Sequence, residues 1–154
     1  MRRVVLDPGV LVSALITPDG SPAKLLREVR TGGLELVVSP LLLEELEGVL
    51  GRQKFRRYVD LDAVHEYIDL LRREALAVPD PEGPSSLRSA DPDDDYLIGL
   101  AQSQNAVLVS GDKHLLEIGG GAPILAPADL PLGLRRTALA PSVRPISTWV
   151  DSLS

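Results

Sequence analysis

The sequence predicts an α/β fold, a three-layer α/β/α sandwich with a mainly parallel central sheet. Short apolar runs rich in β-branched residues alternate with amphipathic runs of helical length, which is the element order of such folds. The run Val107–Val109 is apolar at every position, as expected for a strand that helices cover on both faces. A length of 154 residues is enough for one domain with an ordinary core. We predict this domain over residues 1–130 and a proline-containing tail or partner-binding arm over residues 131–154.

The individual elements follow from apolar runs, helix caps and chain breaks. Five strands are predicted, at residues 3–6, 34–38, 76–78, 107–109 and 123–125. Five helices are predicted, at residues 10–16, 22–30, 40–50, 61–75 and from near residue 96. Ser21 and Ser39 each precede a proline and are expected to cap the helix that follows. Pro8 and Gly9 are expected to turn the chain between the first strand and the first helix.

Composition excludes several classes of protein. The chain has no cysteine, which excludes disulfides and thiolate metal sites and is compatible with a reducing cytoplasm. No apolar run reaches the roughly 18 residues needed to cross a membrane, and Asp7 and Pro8 interrupt the apolar amino terminus that could suggest a signal peptide. Aromatic residues make up only 3%, so the core must be aliphatic. The net charge of −6 argues against broad nucleic-acid binding, but not against a local basic patch.

Four acidic residues can be assigned to one edge of the predicted sheet. Asp7 follows the first strand, and Asp112 follows the fourth. Glu45 lies in the helix after the second strand, and Asp94 lies in the first turn of the helix before the fourth. Ligands of open α/β sheets bind at the carboxyl ends of the strands. A set of oxygen ligands without histidine suits Mg²⁺ or Mn²⁺, and these ions serve phosphodiester hydrolysis.

Each of these residues also has a plainer interpretation. By itself, the acidic run from Asp91 to Asp95 is typical of a solvated helix cap, and Glu45 with its acidic neighbours is typical of an exposed helix face. The hydroxyl of Ser110 could simply cap a turn. The joint pattern, in this order along the chain, is what favours a metal site.

Four segments carry a resemblance to a known family. VVLDPGVLVSALI, SPLLLEELEGVL, DPDDDYLIGLA and VLVSGDKHLL, in that order, resemble the PIN-domain nucleases over about residues 3 to 130. The resemblance is greatest to the bacterial VapC-like toxins of toxin–antitoxin pairs. It implies a cytoplasmic, Mg²⁺- or Mn²⁺-dependent endoribonuclease that acts on RNA, is blocked by an antitoxin protein, forms a homodimer and has no membrane contact.

The resemblance also assigns roles to residues. Asp7, Glu45, Asp94 and Asp112 match the acidic residues with which the family holds its metal, and Asp95 is an alternate to Asp94. Ser110 matches a supporting Ser or Thr two residues before the last of these acidic positions.

One departure from the family pattern concerns the residues after Asp7. The family usually has Thr-Asn there, whereas this chain has Pro8-Gly9. The loss of the Asn amide would weaken metal binding or activity, so a PIN fold that only binds a partner is the alternative function. An aspartate-based phosphotransfer domain is a weaker alternative, because Gly9 and Lys113 do not fit its motifs.

A basic segment follows the helix that carries Glu45. Its cations are Arg52, Lys54, Arg56 and Arg57. They are candidates for RNA binding, although a solvated turn would have the same composition.

Overall fold

The central sheet contains five parallel strands in the order β3-β2-β1-β4-β5. A computed structural model describes residues 2–81, 95–111, 116 and 124–131. The strands are β1 (Arg2–Leu6), β2 (Leu34–Val38), β3 (Leu76–Ala77), β4 (Val107–Val109) and β5 (Ile124–Leu125). The predictions of these strands and of a mainly parallel sheet are confirmed.

Helices fill the connections between the strands. They are α1 (Pro8–Ile16), α2 (Ser21–Thr31), α3 (Pro40–Leu50), α4 (Leu61–Glu74) and α5 (Asp95–Ser103), with short 3-10 helices at Gln53–Phe55 and Pro127–Asp129. Ser39 caps α3 as predicted, since its hydroxyl oxygen accepts a hydrogen bond from the N–H of Leu42 at 3.3 Å.

Two helix starts differ from the prediction. α2 begins at Ser21 itself and its N-cap is Gly20, because the carbonyl of Gly20 already accepts the first hydrogen bond of the helix at 3.2 Å. α1 begins at Pro8, and Gly9 belongs to its first turn rather than to a separate turn. This earlier start is possible because Asp7 caps the helix directly and the fixed φ of proline suits its first position.

The connections place the helices on two faces of the sheet. Parallel crossovers are right-handed in nearly all proteins. The connections from β1 to β2 and from β2 to β3 both move toward one edge, so α1 to α4 lie on one face. The connection into β4 moves in the opposite direction, so α5 lies on the other face, where it packs against β1 and β4. This arrangement is the predicted three-layer sandwich.

The direction of these connections reverses between β1 and β4. Such a reversal is a topological switch point, and open α/β sheets bind their ligands there, beyond the carboxyl ends of the strands. Asp7 follows β1 and Ser110 follows β4, so both residues lie at the switch point.

The core is aliphatic, as the low aromatic content predicts. Val4, Val5 and Leu6 of β1 have no solvent exposure. Among the described residues, Tyr67 of α4 is the largest fully buried side chain, and its hydroxyl donates a hydrogen bond to the carbonyl of Leu11 on α1 at 2.8 Å. Burial raises the pKa of Tyr67 well above its usual value, so the hydroxyl stays a donor and ties α4 to α1.

Two further sequence predictions concern the tail and membrane-spanning segments. The tail predicted for residues 131–154 lies, after residue 131, outside the described residues. In the part of the chain that the structure describes, the helices are too short or too polar to cross a membrane.

Candidate active site

Asp7 is a buried carboxylate at the carboxyl end of the central strand β1. Its side chain and backbone together are only 8% exposed. The N–H of Asp7 donates to the carbonyl of Val109 at 3.1 Å, which continues the pairing of β1 with β4. Asp7 Oδ1 accepts a hydrogen bond from the N–H of Val10 at 2.8 Å, so the carboxylate also caps α1. These bonds fix the carboxylate at the switch point, beyond the carboxyl ends of β1 and β4.

Ser110 holds the second oxygen of this carboxylate. Ser110 is fully buried, and its N–H donates to the carbonyl of Leu125 on β5 at 2.9 Å. Its hydroxyl donates a hydrogen bond to Asp7 Oδ2. The two residues come from the ends of adjacent strands, and the sequence places them 103 positions apart. Ser110 is thus a hydroxyl donor to a buried carboxylate, and its supporting role at a metal site stays a prediction.

Glu45 approaches the same region from α3. It is half-buried, whereas its acidic neighbours Glu44 and Glu47 are exposed. Glu45 Oε2 accepts a hydrogen bond from the hydroxyl of Tyr96 on α5. Because α3 and α5 lie on opposite faces of the sheet, this bond passes over the carboxyl ends of the strands.

Tyr96 is not among the site residues that the sequence predicts. In the sequence it is only the first residue of an apolar run at the start of a predicted helix. The available signal was its polar tip, because a buried or half-buried tyrosine hydroxyl usually has a hydrogen-bond partner.

Asp7 and Glu45 line one cleft of about 520 Å³. Leu97 and Gly111 also line it. In the sequence, these residues lie three positions after Asp94 and one position before Asp112. Asp94 and Asp112 themselves lie outside the described residues, as does the side chain of Asp95, and their metal-binding roles stay predictions.

The described part of the chain does not contain a complete set of the predicted metal ligands. Within it, no three acidic or histidine side chains are close enough together to hold an ion. It does bring two of the four predicted ligands, Asp7 and Glu45, to one cleft. Each is fixed by a hydroxyl donor, and carboxylate oxygens are the ligands that Mg²⁺ and Mn²⁺ prefer. The residues present therefore fit a hard divalent cation.

Pro8 and Gly9 line the same cleft beside Asp7. Neither brings a polar side chain to it. A Cβ atom added at Gly9 would lie 3.3 Å from Asp7 Oδ1, which is a tight contact. An Asn at this position would therefore shift the carboxylate by a few tenths of an ångström.

The basic segment divides into two kinds of cation. Arg52, Lys54 and Arg57 are exposed. Arg56 is half-buried, its Nη2 donates to the carbonyl of Leu50 at the end of α3, and its other two guanidinium nitrogens are buried in the protein. Arg56 thus stabilises the end of α3, and the other three cations are the ones accessible to a ligand.

Comparison with known proteins identifies the family to which this fold and its carboxylates belong. Residues 3–114 match the PIN domain family. The chain therefore belongs to the PIN-domain family of nucleases, as the resemblance of its motifs implied, and the phosphotransfer alternative is set aside.

Several individual proteins are similar to this chain. The uncharacterized protein MJ1680 of Methanocaldococcus jannaschii is 28% identical over 116 residues, which cover 75% of this chain and 74% of that protein.

Among solved structures, PAE2754 from Pyrobaculum aerophilum has a TM-score of 0.57 at 19% identity, over 82% of this chain and 85% of that chain. VapBC2 from Rickettsia felis, bound to a DNA fragment from their promoter, has a TM-score of 0.54 at 17% identity, over 80% and 96%. FitAcB from Neisseria gonorrhoeae has a TM-score of 0.51 at 16% identity, over 82% and 99%. At these identities the likenesses establish a shared fold.

Proposed function

We propose that this chain is a cytoplasmic, metal-dependent endoribonuclease and the toxin of a toxin–antitoxin pair. One observation carries the proposal. The buried carboxylate of Asp7 lies at the switch point of a PIN fold, is held by the hydroxyl of Ser110, and shares a cleft with Glu45. Carboxylate oxygens are the ligands that Mg²⁺ and Mn²⁺ prefer, and the carboxyl ends of the strands are where open α/β sheets bind their ligands.

The proposed ligands of Mg²⁺ or Mn²⁺ are Asp7, Glu45, Asp94 and Asp112, with Asp95 as the alternate to Asp94. When bound, such an ion lowers the pKa of a coordinated water and offsets the charge on the scissile phosphate. The chain's own residues prepare the cleft for this chemistry. The backbone N–H of Val10 and the hydroxyl of Ser110 orient Asp7, and Tyr96 orients Glu45.

The orienting donors have an energetic role. Ligand carboxylates that are fixed before the metal binds lose less side-chain entropy when it does. Donors behind metal ligands typically contribute about 10- to 100-fold in metal affinity or activity. Tyr96 and Ser110 provide side-chain donors of this kind, and Val10 provides a backbone donor.

The proposed RNA path leads from the cleft along α3. Glu45 and Val49, one helical turn apart on α3, both line the cleft. α3 ends five positions after Glu45, roughly 7.5 Å at the helical rise of about 1.5 Å per residue, and Arg52 follows two positions later. The exposed cations Arg52, Lys54 and Arg57 would contact phosphates on one side of the cleaved bond, as a local positive patch on a chain whose net charge is −6.

An antitoxin partner and a homodimer are also part of the proposal. The support is the resemblance of the motifs to the VapC-like branch, together with a fold shared with VapBC2 and FitAcB. Size-exclusion chromatography with light scattering tests the dimer. Co-expression with the product of the neighbouring gene tests the antitoxin, which is expected to form a complex and suppress cleavage.

The decisive test of the nuclease proposal is cleavage of single-stranded RNA with and without Mn²⁺. The wild type should cleave only with the metal, and Asp7→Asn and Asp112→Asn should abolish cleavage. Asn can still cap α1, so Asp7→Asn removes the charge and keeps the helix start. Metal-dependent cleavage that is unchanged in both variants would reject this cleft as the active site.

One observation favours a second candidate function. Pro8 and Gly9 leave one wall of the cleft without the polar side chain that the family pattern predicts. A PIN fold that binds a partner without catalysis would tolerate this loss. Mn²⁺ titration separates the two functions, because the binding module predicts no metal affinity at the carboxylates.

A further inference from the structure

The basic segment carries an exposed aromatic ring that the nuclease chemistry does not use. Tyr58 is 54% exposed, although the chain has few aromatic residues and buries Tyr67 completely. The guanidinium carbon of Arg57 lies 5.4 Å from the centroid of the Tyr58 ring. One turn earlier, Lys54 Nζ lies 5.2 Å from the centroid of the Phe55 ring. Cations and aromatic rings therefore alternate along this short stretch.

The backbone under Tyr58 is held in place. The N–H of Tyr58 donates to the carbonyl of Phe55 at 2.9 Å, and the N–H of Val59 donates to the same carbonyl at 3.0 Å. Val59 is buried in the core, and Arg56 is bonded to the carbonyl of Leu50. The ring thus projects into solvent from a segment anchored on both sides, rather than from a loose loop.

We propose that Tyr58 is a stacking platform for a base of single-stranded RNA. The inference rests on the proposed ribonuclease function and names its substrate class. Every base has a π face, so an exposed tyrosine ring can stack on any of them, and the guanidinium beside the ring adds a cation–π contribution. Positive charge next to the ring also attracts the phosphate that each base brings.

The proposal predicts that single-stranded RNA binds more tightly than duplex RNA. In a duplex, both faces of each base are already covered by neighbouring bases, so stacking on Tyr58 requires a base to leave the helix. In a single strand this cost is small. Tyr58 would then contribute to affinity without reading sequence, while Arg52, Lys54 and Arg57 supply the contribution that depends on salt.

The experiment measures binding of a fluorescent single-stranded RNA oligonucleotide to the full chain in EDTA, which prevents cleavage. The variants are Tyr58→Ala, Tyr58→Leu, which keeps an apolar side chain without a π face, and Tyr58→Phe, which keeps the ring. Tyr58→Ala and Tyr58→Leu should weaken binding about 5- to 150-fold, and Tyr58→Phe should bind like the wild type. The salt dependence should keep its slope, because all the cations that bind phosphate are still present.

An abasic oligonucleotide of the same length makes the test specific. It has the same phosphates and no bases, so the wild type and Tyr58→Ala should bind it equally. An equal loss by Tyr58→Ala on the normal and the abasic strand would overturn base stacking. A loss of dimerisation or of antitoxin binding, with RNA affinity unchanged, would also overturn it and assign the ring to a protein contact.

The outcomes also separate this inference from the nuclease proposal. If the wild type binds and cleaves RNA but Tyr58→Ala does so equally well, only the stacking platform fails. If the wild type neither binds nor cleaves RNA, both proposals fail.

Discussion

Replacing Ser110 by alanine tests how the carboxylate at the switch point is held. Ser110 is fully buried, and its hydroxyl donates to Asp7 Oδ2. Hydrogen bonds to charged groups contribute about 1.5–3 kcal/mol to stability, and the variant leaves a buried carboxylate oxygen without this donor. Ser110→Ala should therefore lower the free energy of unfolding by about 1.5–3 kcal/mol. For a chain of this length, that loss corresponds to a fall in Tm of about 3–12 °C.

The same variant should weaken the proposed metal site. Without the hydroxyl, Asp7 Oδ2 loses this hydrogen-bond donor, so the orientation of the carboxylate toward a cation is less fixed. A loss of this kind typically lowers metal affinity by about 10- to 100-fold.

Urea and thermal unfolding in EDTA, followed by circular dichroism, measure the stability change apart from any metal. The matched control is Ser103→Ala on α5. Ser103 is exposed, and its hydroxyl also donates a hydrogen bond, to the carbonyl of Leu100 at 3.0 Å. The control should change stability by less than about 0.5 kcal/mol. If Ser110→Ala were no more destabilising than Ser103→Ala, the hydroxyl would not support the carboxylate, and the reasoning would be refuted.

Three further predictions concern other parts of the cleft. Tyr96→Phe removes the donor to Glu45 and should lower Mn²⁺ affinity about 10-fold in a calorimetric titration. Gly9→Asn restores the family's amide and should raise Mn²⁺-dependent RNA cleavage, if the carboxylate beside it can shift as the 3.3 Å contact requires. Lys54→Gln combined with Arg57→Gln should weaken RNA binding and flatten its salt slope by about 0.7 for each phosphate that the variant no longer neutralises.

These predictions have their own controls. Tyr58→Phe, which removes a tyrosine hydroxyl outside the cleft, should leave the Mn²⁺ affinity unchanged. Gly9→Ala tests the crowding alone, and a gain equal to that of Gly9→Asn would remove the amide from the explanation. Replacing Arg73, an exposed cation on α4, removes positive charge outside the basic segment. If this replacement also flattened the salt slope of RNA binding, the charge would act without a local contact to phosphate.

Much of the fold was predictable because its local signals agree with its packing. Apolar runs such as Val107–Val109 are buried parallel strands, and the Ser39-Pro40 pair starts a helix as expected. The start of α2 was placed wrongly because Ser21 and Gly20 are both acceptable caps, and only the preceding turn decides between them.

The start of α1 was less readable from sequence. Pro8-Gly9 is typical of turns, and whether it opens a helix instead depends on the hydrogen bond from Val10 to Asp7. Chain order alone does not establish that bond.

The candidate site was partly predictable for a related reason. Asp7 and Ser110 could be placed at one sheet edge, because the carboxyl ends of parallel strands lie together. The bond from Tyr96 to Glu45 joins helices on opposite faces of the sheet, and no local pattern indicates which helix residues will meet. Arg56 was grouped with its neighbours on charge alone, whereas its burial depends on how α3 ends.

The central claim, that a divalent cation binds between these carboxylates, is tested most directly by calorimetric titration of Mn²⁺ into Glu45→Gln and Glu47→Gln. Both variants lose one negative charge from the same helix. Glu45 lines the cleft and bonds to Tyr96, whereas Glu47 is exposed and outside it. The account predicts that Glu47→Gln binds Mn²⁺ like the wild type and that Glu45→Gln binds it at least about 10-fold more weakly. Equal binding by both variants would contradict a metal site in this cleft.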